Sequence, residues 1–112
     1  MIIRMCDEHP NYAVSDTGMV FAYHPDGLIP LKIDISNGYP RVKLDGKKEY
    51  VSRLVANEFL EKPEPDKTKL FFLDNNTKNC CAKNLVWLTP SEVQKFSQYT
   101  IEYRLKELGR RV

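Results

Sequence analysis

From Tyr12 onward the chain alternates short β-patterned runs with turn residues, and then changes to a helical period. Tyr12 to Phe21 places β-formers on either side of Asp16-Thr17-Gly18, which predicts a hairpin. Asn37-Gly38 and Asp45-Gly46 are tight-turn dipeptides, and the run Tyr39 to Leu44 between them alternates. Alternation puts Arg41 and Lys43 on one strand face and Val42 and Leu44 on the other, with Lys47, Lys48 and Glu49 following in the next turn and strand. Val51 to Glu61 has helical spacing. Leu54, Val55, Phe59 and Leu60 turn inward, Arg53, Asn57 and Glu61 outward, and Pro63 and Pro65 end the helix.

After a polar loop, Lys69 to Asp74 and Leu85 to Leu88 read as partner strands joined by an asparagine-rich segment. Thr89-Pro90-Ser91-Glu92 starts a helix by a definite mechanism: Thr89 caps, Pro90 fills the first turn and Glu92 closes a capping box. Beyond it the apolar phase shifts. Val93, Phe96, Tyr99 and Tyr103 line one side, while Ile101, Leu105 and Leu108 line another. Either one helix is apolar on two faces, or it breaks near Thr100, which then caps a second helix ending at Gly109. The second stripe rests on the core or forms a homodimer contact through Ile101, Leu105 and Leu108. The fold expected is α+β in one domain over 1–112. N-terminal β-hairpins and a helix (11–62) precede a ββα unit (69–97) and a C-terminal helix (100–109).

Composition adds bounds. A chain of 112 residues, 42% hydrophobic and 29% charged, has the size and balance of one globular domain. No apolar run approaches the ~20 residues that span a bilayer, and the N-terminus lacks a secretory pattern, so no membrane partner and a cytoplasmic location are expected. The cysteines Cys6, Cys80 and Cys81 form no metal-spaced pair and are read as reduced packing residues. The net charge is only +2, but its distribution is uneven. Residues 31–53 and 80–112 each carry six basic and three acidic side chains, against one basic and four acidic in 1–30. Two positive segments alternate with two negative ones, which suits a one-sided DNA surface.

The stretch Phe71 to Val93 resembles the HNH motif of phage and mobile-element homing endonucleases, which runs roughly (D/N)HxDGNxxNNxxxNLxWxTxxxN. Asp74, Asn75, Asn76, Asn79, Asn84, Leu85, Trp87 and Thr89 fall in register. Upstream, Tyr12 to Phe21 resembles the family's YxVSNxGxVxS segment, and Tyr39 to Phe59 its GYxxVxL and VHRLVAxAF segments. The family cuts DNA with one divalent cation and a histidine base that activates water. Here the histidine position is Phe72, the acidic or amide position before it is Phe71, and the closing asparagine is Val93. Ser52 replaces the histidine of VHRLV, while the middle asparagine survives as Asn84. Phenylalanine has neither lone pair nor titratable proton.

The resemblance, with those replacements, implies an HNH-like protein without catalytic residues, metal or cofactor. It would bind double-stranded DNA without cutting it, as a regulator, repressor or site blocker in a bacterial host cytoplasm. Arg41, Lys43, Lys47, Lys48 and Arg53, with Asn37 and Tyr39 nearby, are the expected contacts, and Arg104, Arg110 and Arg111 a second set. Two alternatives stay open. One is a protein-binding inhibitor of a nuclease or other host factor that uses the remodelled cleft around Phe72. The other is cleavage by a rearranged site using Asp74, Asn84 and His24. His9 and His24 are the chain's only histidines.

Overall fold

A computed structural model describes residues 1–109, which form three antiparallel sheets and three helices in an α+β arrangement. The first sheet is a meander, β1 (Ile3–Met5), β2 (Tyr12–Ser15), β3 (Val20–His24) and β4 (Gly27–Pro30), in that spatial order. The expected hairpin is β2–β3. Ser15, fully buried, holds its turn: the hydroxyl oxygen accepts from the amides of Met19 (2.9 Å) and Thr17 (3.3 Å). Gly18 in that turn has φ +91°, and a Cβ there would stand 3.1 Å from the Cβ of Cys80, so a side chain would strain the backbone and require Cys80 to shift.

The second sheet is a ribbon of β5 (Asp34–Ser36), β6 (Tyr39–Leu44) and β7 (Lys47–Tyr50). Along β6, Pro40, Val42 and Leu44 are buried, and the residues between them face outward, as period-two alternation requires. The chain passes from β7 straight into α1 (Val51–Phe59), whose Val51, Leu54 and Val55 enter the main core with Val14, Val20, Val42, Leu44 and Leu85. The helix stops two residues short of the expected Glu61. Leu60 is already extended (ψ 152°), ahead of Pro63.

The third sheet pairs β8 (Lys69–Phe72) with β9 (Leu85–Leu88), and α2 (Pro90–Ser97) follows, giving the ββα unit. Its predicted capping box is present. Thr89 Oγ1 accepts from the Glu92 amide (3.1 Å), and the Glu92 carboxylate accepts from the Thr89 amide (3.0 Å). Strand β8 ends two residues before Asp74 because Asn75 turns left-handed (φ 63°) at the position where the family pattern carries glycine. Of the two C-terminal possibilities, the break is observed. Thr100 caps α3 (Ile101–Glu107) through its hydroxyl, which accepts from the Tyr103 amide (3.2 Å). A second small core of Phe71, Leu73, Leu88 and Phe96 lies between the ββα unit and α3.

Candidate nucleic-acid interface

Register decides which side chains share a face of the ribbon. Arg41 opposes Tyr50 across β6–β7, and Lys43 opposes Lys48. Directly opposed residues project to the same side, so Tyr39, Arg41, Lys43, Lys48 and Tyr50 make one outer face. Lys47 does not belong to it. It opposes Leu44, and so projects from the buried-side register at the ribbon's end. Asp34, opposite Arg41, also lies on the outer face, and its carboxylate accepts from Lys48 Nζ at 3.5 Å. That exposed pair is worth little and opens readily to a competing anion. Arg41 is half-buried, and its Nε–H has no hydrogen-bond partner among the described residues.

At the edge of this face Tyr39 meets Phe72 edge-to-face (6.3 Å between ring centroids) and meets Tyr50 in the same way (6.1 Å). These rings line a cleft of about 200 Å³ with Ser52, Arg53, Lys69 and Leu70. Arg53 stands at its rim and also lies 5.8 Å from the Trp87 ring. Sequence reasoning named Arg53 and missed Lys69, the first residue of β8, together with Lys32, which shares a groove with Arg41, Lys43 and Lys48. Their only sequence signal was positive charge; Lys32 leads into β5, and packing of β8 beside the ribbon brings Lys69 to the cleft. The ββα loop is tied to the same ribbon by a hydrogen bond from the Thr77 hydroxyl to the Gly38 carbonyl.

Phe72 is half-buried at the cleft, whereas Phe71, on the opposite strand face, is core. Asp74 beyond them is fully engaged. Its Oδ1 accepts from the Asn76 amide (2.8 Å) and from Asn84 Nδ2 (2.9 Å), and its Oδ2 accepts from Asn79 Nδ2 (2.9 Å). Burial works to raise the Asp74 pKa, but the hydrogen bonds from Asn79, Asn76 and Asn84 outweigh it and hold the carboxyl below its ordinary value. Asn84 is itself 7% exposed and spends its amide on Asp74, the Asn79 carbonyl and the Asp74 amide. His9 pairs loosely with Glu49 (3.8 Å) and His24 with Asp26 (3.6 Å), both in the N-terminal sheets' surroundings. The arrangement does not fit the divalent cation of the HNH family. Asp74 spends three acceptor positions within the loop, Phe71, Phe72 and Val93 offer no metal-binding group, and no group of three His, Cys, Asp or Glu among the described residues could hold a metal. No catalytic step is derived through one.

Arg104, expected at a DNA surface, is instead 2% exposed. Its guanidinium donates to the carbonyls of Phe96 (2.6 Å), Leu73 (3.1 Å) and Ser97 (3.2 Å) and to Asn75 Oδ1 (2.8 Å), and it lies over the Phe71 ring. The physical reason is the α2 C-terminus, where the Ser97 carbonyl and the Phe96 carbonyl, which also accepts from the Tyr99 amide, attract a cation. Arg110 and Arg111 lie outside the described residues. The proposed dimer stripe is also divided. Leu105 and Leu108 pack on the second core, and Ile101 alone remains exposed at 42%. No helix among the described residues is long and apolar enough to cross a membrane.

No protein-family model matches the chain, and no curated protein does. A solved structure described as DNA binding and cleavage by the HNH homing endonuclease I-HmuI superposes with a TM-score of 0.68 at 30% identity, over 100% of this chain and 62% of that one. The fold is that of an HNH homing endonuclease. The expectation that the chain is not an enzyme is overturned by this likeness, because the structure it resembles along its whole length is that of a cleaving enzyme.

Proposed function

We propose that this chain binds double-stranded DNA through the outer face of the β5–β7 ribbon. Arg41, Lys43 and Lys48 meet phosphates, and Arg53 and Lys69 extend the contact past the cleft. The observation that carries the proposal is the register. It gathers three cations on one face of the ribbon, whose other face is core along β6, and a β-ribbon can enter the major groove. The HNH homing-endonuclease-like fold supports the same reading. The alternative of a protein-binding cleft is supported less well, because Phe72 is half-buried and the cleft is rimmed by Arg53 and Lys69. Occupancy of a DNA site would act on a promoter or shield a sequence, and this regulatory role is part of the proposal.

The test is anisotropy titration of a fluorescent mixed-sequence duplex across salt concentrations, with Mg²⁺ present and absent and the products resolved on a gel. Submicromolar, salt-sensitive binding at low salt supports the proposal, and cut strands on the same gel would add cleavage to it. Absence of binding at about 50 mM salt, where electrostatic contacts are strong, sinks it.

A further inference from the structure

The aromatic cleft between the ribbon and the ββα unit has a chemistry that duplex binding does not require. Tyr39 and Tyr50 are 41% and 45% exposed, and Phe72 closes the floor behind Tyr39. Such rings, left open to water, offer flat faces that a phosphate backbone cannot use. Arg53 and Lys69 supply positive charge at the rim, Ser52 supplies a hydroxyl, and no carboxylate lines the cleft. A ligand that combines a π-face with negative charge satisfies all of these together, and a nucleotide whose base has left the stack is such a ligand.

We infer that the cleft is a receptor for an unstacked nucleobase, so that the protein prefers DNA with an extrahelical or unpaired base to a perfectly paired duplex. The inference rests on the DNA-binding reading above. The base would lie against Tyr39 and Phe72, with Tyr50 at its edge and its phosphate toward Arg53 or Lys69. The cleft opens at the edge of the same outer face that carries Arg41 and Lys43, so a strand held by those cations is positioned to deliver a base into it. Stacking is tolerant of base identity, so the preference is for structure rather than for sequence.

The experiment compares two duplexes at one salt concentration, one fully paired and one with a single bulged 2-aminopurine. Dissociation constants come from anisotropy, and 2-aminopurine fluorescence reports stacking inside the complex. The expected result is roughly tenfold tighter binding of the bulged duplex, the size of one base–aromatic stack, with quenching of the probe on binding. Phe72→Leu keeps an apolar side chain but removes the ring, and Tyr39→Leu does the same at the open face. Each variant should reduce the ratio of the two constants toward one and relieve the quenching. Circular dichroism melts verify that both variants fold, and the ratio is read within each protein, so a general loss of affinity cancels. Equal affinity of the wild-type protein for the two duplexes overturns the inference and leaves the DNA-binding proposal standing. No binding to either duplex overturns both.

Discussion

Arg104 carries its charge into the interior with no carboxylate beside it among the described residues. What stabilises it there is a set of carbonyls at the α2 C-terminus, one from the end of β8, and the face of Phe71. Removing the side chain takes the donor from the Leu73 and Ser97 carbonyls, while Phe96 keeps the Tyr99 amide, and it opens a cavity. Arg104→Ala is therefore expected to cost about 3 kcal/mol, read as a lower urea midpoint. Arg104→Lys should recover only part of this, because a single ammonium cannot reproduce the planar fork. At the cysteines, burial pushes the Cys6 and Cys80 thiols up to about 11, with the nearby acids Glu58 and Asp7 adding to the effect at Cys6. A protonated thiol is a poor nucleophile. Iodoacetamide at pH 8 followed by mass spectrometry should show Cys81, which is half-buried, modified first. Equal labelling of all three would show the packing to be looser than described.

The helices divide by how they begin. At α2 both partners of the capping box are in place, and Thr89→Ala should cost about 1 kcal/mol, measured by thermal or urea unfolding. The box also ties α2 to pH. The hydrogen bond from the Thr89 amide holds the Glu92 carboxyl below its ordinary 4.5 against the opposing effect of burial, with Lys67 and Lys95 adding to the lowering. A carboxylate depressed in the folded state stabilises above its unfolded pKa and loses that contribution as pH falls through the folded one. Asp74 in the asparagine loop acts in the same direction below its ordinary 3.8. The melting temperature of the wild-type protein should therefore fall on acidification, with the Glu92 contribution declining below its ordinary 4.5 and the Asp74 contribution below its ordinary 3.8. Glu92→Gln and Asp74→Asn should each flatten that fall. If the variants track the wild type throughout, the two carboxylates are not the acid-sensitive elements. The start of α1 has no side-chain cap, and the helix depends on its buried face, Val51, Leu54 and Val55.

For the molecule as a whole, three sheets stand around two cores, and the outer face of the ribbon collects cations of one basic segment, 31–53, while Arg104 of the other lies in the interior. Each phosphate neutralised contributes roughly 0.9 to the slope of log affinity against log salt. Arg41→Ala with Lys43→Ala should therefore reduce that slope by about 2, whereas Lys47→Ala, on the other register, should change it less. Equal effects at all three positions would mean that the ribbon approaches DNA end-on. Arg104 belongs to the interior and has no part in this balance.

The local architecture was written in the chain. Period-two alternation set the β6 face, Asp-Thr-Gly set the β2–β3 turn, and Thr89-Pro90-Ser91-Glu92 set the start of α2, because each depends on residues within a few positions of one another. The ββα unit, two strands followed by a capped helix, was legible for the same reason. The outcomes set by distant contacts were not legible. Arg104 looked like one more surface cation until α3 folded back onto the α2 carbonyls and β8. Lys47 looked equivalent to Lys48 until cross-strand pairing assigned them to opposite faces. Lys69, Tyr50 and Phe72 became neighbours only when the ββα unit docked beside the ribbon. A chain's own pattern fixes where its elements begin and which side of each is apolar. Which charges are buried and which share a surface depends on how those elements pack, and only the tertiary structure decides it.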